Sequence, residues 1–134
     1  MKSNLHHIQF MVAPGNQPFY RDLFAFLEWN ILYDGGDILG VADGNGASLW
    51  FADQVKETSN DYDGPGMNHL GLGASSPAEV DATVAYLRER NVELLFDTPQ
   101  HRPEFSESEE HTYYQVMFES PDRILLEVVY TGPK

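Results

Sequence analysis

Apolar and polar residues alternate from Leu5 to Val12, with Ile8, Phe10 and Val12 on one side and His7, Gln9 and Met11 on the other. Period two is the signature of a strand with one buried face. Ala13-Pro14-Gly15-Asn16 ends the strand, and Asn16 can cap a helix that Pro18 opens near its first position. Phe19, Tyr20, Leu23, Phe24, Phe26 and Leu27 then recur at helical spacing, which predicts a helix over about Pro18 to Leu27. Three short β-like runs follow, Asn30–Tyr33, Ile38–Ala42 and Ala47–Ala52, separated by the turn sequences Gly35-Gly36-Asp37 and Gly44-Asn45-Gly46. The first half therefore reads βαβββ.

Asp53 to Gly66 is mostly polar and ends in Asp-Gly-Pro-Gly, the composition of a connector with nothing to add to a core. Beyond it the same order of elements returns. Asn68-His69-Leu70-Gly71-Leu72-Gly73 again sets a histidine opposite alternating leucines. Ser76-Pro77-Ala78-Glu79 is a capping box, and Val80, Val84 and Leu87 mark a helix up to Asn91. Val92–Phe96, Thr112–Phe118 and Arg123–Tyr130 are β-rich, the last two joined by Ser120-Pro121-Asp122. The expectation is one α+β domain over 1–134: module one at about 1–53, a linker at about 54–66 and module two at about 67–134. A four-stranded half-sheet with one helix leaves its other face open, so two such modules predict a cupped mixed sheet with helices on the convex face. Parity puts His7, Gln9 and Met11, and likewise His69, Gly71 and Gly73, on the concave side.

Composition narrows the function classes. At 134 residues and 42% hydrophobic the chain can bury a proper core. Eight basic against 21 acidic residues give a net charge of −13, which argues against nucleic acid and anionic membrane surfaces as partners. No run approaches the roughly 18 apolar residues of a membrane helix, and the first residues carry no apolar signal segment, so the expected location is cytosolic. With no cysteine, any metal must be held by histidine and carboxylate.

One carboxylate interrupts the last strand, Ile124-Leu125-Leu126-Glu127-Val128-Val129-Tyr130. A buried unpaired carboxylate costs several kcal/mol, so Glu127 must be solvated, paired or bound to a cation. If the modules repeat, His7 and His69 hold equivalent places and can meet Glu127. Two imidazoles and one carboxylate leave about three positions open on a divalent ion, which is a catalytic arrangement. A structural ion pair of Glu127 with Arg123 or Arg102 is the alternative.

His7-Ile8-Gln9-Phe10-Met11-Val12, the Phe19-Tyr20-Arg21-Asp22-Leu23 helix start, Asn68-His69-Leu70-Gly71-Leu72, and Phe118-Glu119-Ser120-Pro121-Asp122 running into Leu126-Glu127 together resemble the vicinal oxygen chelate superfamily. That group spans the glyoxalases, bleomycin-resistance proteins and extradiol dioxygenases. The resemblance implies that His7, His69 and Glu127 are ligands of one divalent ion, Fe, Mn, Ni, Co or Zn. It also implies a small-molecule substrate with neighbouring oxygens, lyase, isomerase or dioxygenase chemistry, and a homodimer. Where glyoxalase I has a second glutamate, on the last strand of module one, this sequence has Trp50. The three-ligand pattern is thus closer to the dioxygenases and the fosfomycin-resistance thiol transferases, although Gln115 and Met117 replace residues usual in the latter.

Around such a centre, Glu127 and His111 are the candidate catalytic groups. Trp50, Gln9, Tyr113, Gln115, Met117 and Arg102 are candidate substrate contacts. Met11 and Met117 read equally well as filling. Thr98–Glu110, with His101 and Arg102, is long for a hairpin connection and is a candidate lid. The competing function is a metal-free protein that sequesters a small molecule in an aromatic cleft of Trp50, Phe51 and the Tyr113–Tyr114 pair.

Overall fold

Each half of the chain folds as a strand, a helix and three further strands, the order that the hydrophobic pattern predicts. In the computed structural model, which describes residues 1–134, the chain divides into two compact units, Met1–Ser59 and Asn60–Lys134. No helix is long and apolar enough to cross a membrane.

The first unit contains β1 (His7–Val12), α1 (Gln17–Phe26), β2 (Asn30–Asp34), β3 (Ile38–Ala42) and β4 (Ser48–Asp53), with strand order β1-β4-β3-β2. β1 runs parallel to β4, and the other neighbours are antiparallel. Its core is a stack of rings: Phe51 lies 4.2 Å from Tyr20 of α1 and 5.1 Å from Phe10 across the ladder, with Phe24 at 5.6 Å. His7, Gln9 and Met11 face away from this core and are exposed, as parity requires.

The second unit repeats the plan with β5 (Leu70–Ala74), α2 (Pro77–Glu89), β6 (Leu94–His101), β7 (His111–Glu119) and β8 (Leu125–Pro133), in the order β5-β8-β7-β6. Its core on the helix side is mainly aliphatic, with Leu72, Val80, Val84, Leu87, Leu126 and Val128 buried around Phe118. Both helices end alike. Glu28 and Asn91 take left-handed φ values of 63° and 57°, and the amides of Trp29 and Val92 reach back to the carbonyls of Phe24 and Leu87. This is a Schellman motif, closed in the first unit by an edge-to-face contact of Trp29 on Phe24 at 5.0 Å.

Three local expectations are corrected. Asn16 is itself in the helical region (φ −91°, ψ −4°) and makes no side-chain cap, so α1 begins at Gln17. Ser76, extended and accepting from Glu79 N at 3.3 Å, does cap α2. The connector does contribute to a core: Tyr62 is buried against Met117 and Leu125, and its hydroxyl donates to Glu119 at 2.5 Å. The segment expected as a loop from Thr98 is instead strand to His101, paired Gln100 to Gln115 and His101 to Tyr114. The ladder slips between Leu95 and Gln100, where Phe96 and Asp97 have positive φ. A bulge of this kind breaks the alternation that would have announced the strand.

Candidate functional site

The parallel ladder β5–β8 pairs Gly71 with Glu127, and the β7–β8 ladder pairs Glu127 with Met117. Glu127 thus lies mid-sheet on the face away from α2, and only 3% of it is exposed. Neither arginine partner considered for it is there: Arg123 lies 3.7 Å from Glu119, and Arg102 donates to Gln115. The charge is met by other groups. Oε2 accepts from the Tyr113 hydroxyl at 2.8 Å and from Gln115 Nε2. Oε1 faces His69 Nε2 at 3.6 Å, beyond hydrogen-bond distance.

The orientation of each group follows from its neighbour. Asn68 Nδ2 donates to the Tyr62 carbonyl at 2.9 Å, which leaves Asn68 Oδ1 as the acceptor for His69 Nδ1 at 2.8 Å. Asn68 thus engages Nδ1 and leaves Nε2 as the imidazole atom directed at Glu127. Arg102 Nε donates to Gln115 Oε1 at 2.9 Å, so the other end of that amide is the NH2 that donates to Glu127. Arg102 also donates to the Phe96 carbonyl at 2.6 Å, which ties it to the β6 bulge. Burial, and then the hydrogen bond to Glu127, push Tyr113 up to about 12, so it is a neutral donor and not a base near neutrality. Gly71 leaves room for the carboxylate: a Cβ there would stand 3.2 Å from Oε1.

The donor set fits a divalent first-row ion. An imidazole nitrogen and a carboxylate oxygen face each other, while the second atom of each is held by a fixed partner, the outer-shell arrangement that orients metal ligands. Ligands on one such ion at about 2.1 Å stand roughly 3.0–3.5 Å apart, close to the observed separation. Within each unit taken alone, no three histidine or acidic side chains gather in metal-binding geometry. The third proposed ligand, His7, belongs to the first unit. There His6 Nδ1 lies 2.8 Å from His7 Nδ1, so in both units the residue before the histidine engages Nδ1.

In the first unit the ladder pairs Gln9 with Trp50, which places Trp50 at the register that Glu127 holds in the second. A cleft of about 730 Å³ opens on this face, lined by His6, His7, Gln9, Leu32, Ile38 and Trp50 among others. Gln9 thus reaches a cavity, and its amide also contacts Met11 Sδ at 3.7 Å.

The remaining candidates are placed as follows. Met117, across the ladder from Glu127, is buried with Tyr62 and Leu125. His111 pairs with Pro133 at the far end of β8, six residues or about 20 Å of strand from Glu127, and is held to Ser108 at 2.9 Å. Tyr113 and Tyr114 lie on opposite faces: Tyr114 donates to Asp81 of α2 at 2.6 Å and stacks on His101 at 4.3 Å. Phe51 is inside the core. A cleft formed by Trp50, Phe51 and both tyrosines is therefore excluded. Sequence reasoning missed Asn68, although an amide next to a candidate ligand histidine is a readable signal. It also missed Tyr62, which nothing local betrays.

No protein-family model matches this sequence, and no curated protein matches it. Solved structures do match over nearly the whole chain. A candidate glyoxalase from Bacillus halodurans is 23% identical over 94% of each chain, with TM-score 0.77. A glyoxalase/bleomycin resistance protein from Albidiferax ferrireducens is 14% identical over 94% of this chain and 97% of that one, with TM-score 0.71. The fosfomycin resistance protein FosX from Listeria monocytogenes is 20% identical over 97% and 94%, with TM-score 0.67. The chain has the fold of the glyoxalase/bleomycin resistance/dioxygenase proteins, two βαβββ modules in an α+β arrangement.

Proposed function

We propose that His7, His69 and Glu127 hold one divalent first-row ion, and that the protein transforms a small molecule that presents two neighbouring oxygens to it. The observation that carries this reading is the poised pair in the second unit, His69 Nε2 opposite Glu127 Oε1, with Nδ1 and Oε2 each already committed to a fixed partner. When bound, the ion supplies Lewis-acid stabilisation of an oxyanion. The chain's own groups set the stage for it. Tyr113 and Gln115 hold Glu127 Oε2, so the carboxylate presents Oε1 alone, and Arg102 acts through Gln115. Tyr113 keeps its proton on the phenol oxygen. His111, held at the far end of β7, is not in reach of Glu127, so within this unit His69 and Tyr113 are the titratable neighbours of the carboxylate.

The test is metal content after loading with Mn, Fe, Co, Ni or Zn, measured by plasma emission for the wild type, His7→Ala and His69→Ala. Both variants are expected to lose most of the bound ion. A His7→Ala protein that holds the metal like the wild type rules out the three-ligand set. Oxygen uptake with catechols then separates oxygenation from lyase or isomerase chemistry on thiol adducts of 2-oxoaldehydes. The FosX neighbour, a fosfomycin resistance protein, adds fosfomycin to the compounds to assay. A homodimer belongs to the same proposal, and light scattering in solution tests it.

A further inference from the structure

We propose that the open face of the first unit's sheet is a stacking platform for a planar aromatic ring without negative charge, with the Trp50 indole as its floor. This inference rests on the cleft of the first unit; His7 lines that cleft and is also a ligand in the metal reading, so the test is run without metal and the two can fail separately.

Trp50 lies flat on the sheet because the residue across the ladder is Gly40. A Cβ at Gly40 would stand 2.5 Å from indole Cζ3 and 2.7 Å from Cε3 and Cη2, so the ring fills the space that any side chain there would need. The indole is fixed in its plane as well, since Nε1 donates to Ser48 Oγ at 3.0 Å. One face of a large ring is thus seated on backbone and its edge is tethered. The ring is only partly buried and it lines a cleft of about 730 Å³.

The surroundings select the ligand. Leu32, Ile38 and Ala42 supply apolar walls, while Gln9, Ser48 and the two histidines supply hydrogen-bonding groups at one end. No lysine or arginine lines the cleft, so it holds no permanently charged cation to compensate an anion. The exposed π face of an immobilised indole attracts flat rings by offset stacking, and its quadrupole disfavours negative charge. The polar side groups are few beside the apolar walls, as in sites where apolar area provides binding and polar groups provide orientation.

The experiment uses 2-naphthol as probe on the full chain stripped of metal with a chelator, titrated by ligand-observed NMR. Its non-planar counterpart is trans-2-decalol, and its anionic one is 2-naphthyl phosphate. The expected result is that 2-naphthol binds best of the three and that Trp50→Ala weakens it about tenfold or more, with Gly40→Ala weakening it by several-fold as the indole is displaced. Trp29→Phe, at the end of α1, leaves binding unchanged. Far-UV circular dichroism confirms folding, and Trp50→Phe, which keeps a smaller ring, retains part of the affinity if Trp50→Ala fails to fold. Decalol or the phosphate binding as tightly as 2-naphthol, or binding that is insensitive to both Trp50→Phe and Gly40→Ala, overturns the proposal. Because no metal is present, a protein that proves unable to bind metal still gives a clear outcome here.

Discussion

At matching points of their ladders the first unit sets Gln9 beside Trp50, and the second sets Gly71 beside Glu127. In each case a glycine on a neighbouring strand makes space for the large or charged residue: Gly40 under the indole, Gly71 beside the carboxylate. One scaffold therefore carries two chemistries, an apolar ring on one copy and a tethered acid on the other. The cores differ in the same way. Phe10 and Phe51 in the first unit correspond to Leu72 and Val128 in the second, so one helix is held by stacked rings and the other by aliphatic packing. The repeated backbone fixes where a functional side chain stands, and one substitution per copy decides what it does.

The largest effect should come from the stacked core. Phe51→Ala removes the ring that Tyr20, Phe10 and Phe24 all contact, and should cost roughly 3–5 kcal/mol in urea unfolding. Val128→Ala at the corresponding place should cost clearly less, and equal losses would remove the contrast between the cores. Next comes the acid's support. Gln115→Leu removes the amide donor to Glu127 and should weaken metal affinity about 10- to 100-fold, with Arg102→Ala smaller in the same direction. Competition with a chromogenic chelator measures both. Gly71→Ala, with its Cβ 3.2 Å from Oε1, should weaken affinity further than Gly73→Ala, which meets nothing within 4 Å.

A smaller effect concerns pH. Burial, and then the hydrogen bond to Asp81, push Tyr114 up to about 12. The neutral phenol is thus favoured in the folded state, and the stability it adds is complete below pH 10 and lost as pH rises from 10 towards 12. Tyr114→Phe should be less stable at neutral pH by about 0.5–1.5 kcal/mol and should lose less stability over that alkaline window, as thermal unfolding can show. The smallest effect lies at the helix ends. Glu28 is left-handed without an Asn or Gly to ease it, so Glu28→Gly should stabilise by about 0.4–1 kcal/mol, more than Asn91→Gly does.

Much of this was legible in the sequence because two periods were clean. The alternation around His7 and around His69 placed both histidines on the face away from the helix, and the lone acid in an apolar strand identified Glu127. The register of Trp50 against Glu127 also followed from the repeat. What escaped depends on contacts between distant segments. Tyr62 in a polar connector has no local pattern, yet it packs on Met117 and Leu125. β6 was hidden by its bulge at Phe96 and Asp97. Parity gives Gln115 and Tyr113 a face but not a target, and both donate to Glu127 Oε2. Arg102 donates to Gln115 and to the Phe96 carbonyl, contacts that no local pattern announces. Asn16 has the right residue type for a cap but the wrong backbone conformation.

The most direct measurement is stoichiometric metal analysis of Glu127→Gln beside Trp50→Phe, two isosteric or conservative changes at the equivalent position of the two units. The expected result is that Glu127→Gln loses the bound ion while Trp50→Phe keeps it. A folded Glu127→Gln protein that retains one ion per chain would contradict the assignment of the acid module as the seat of the metal.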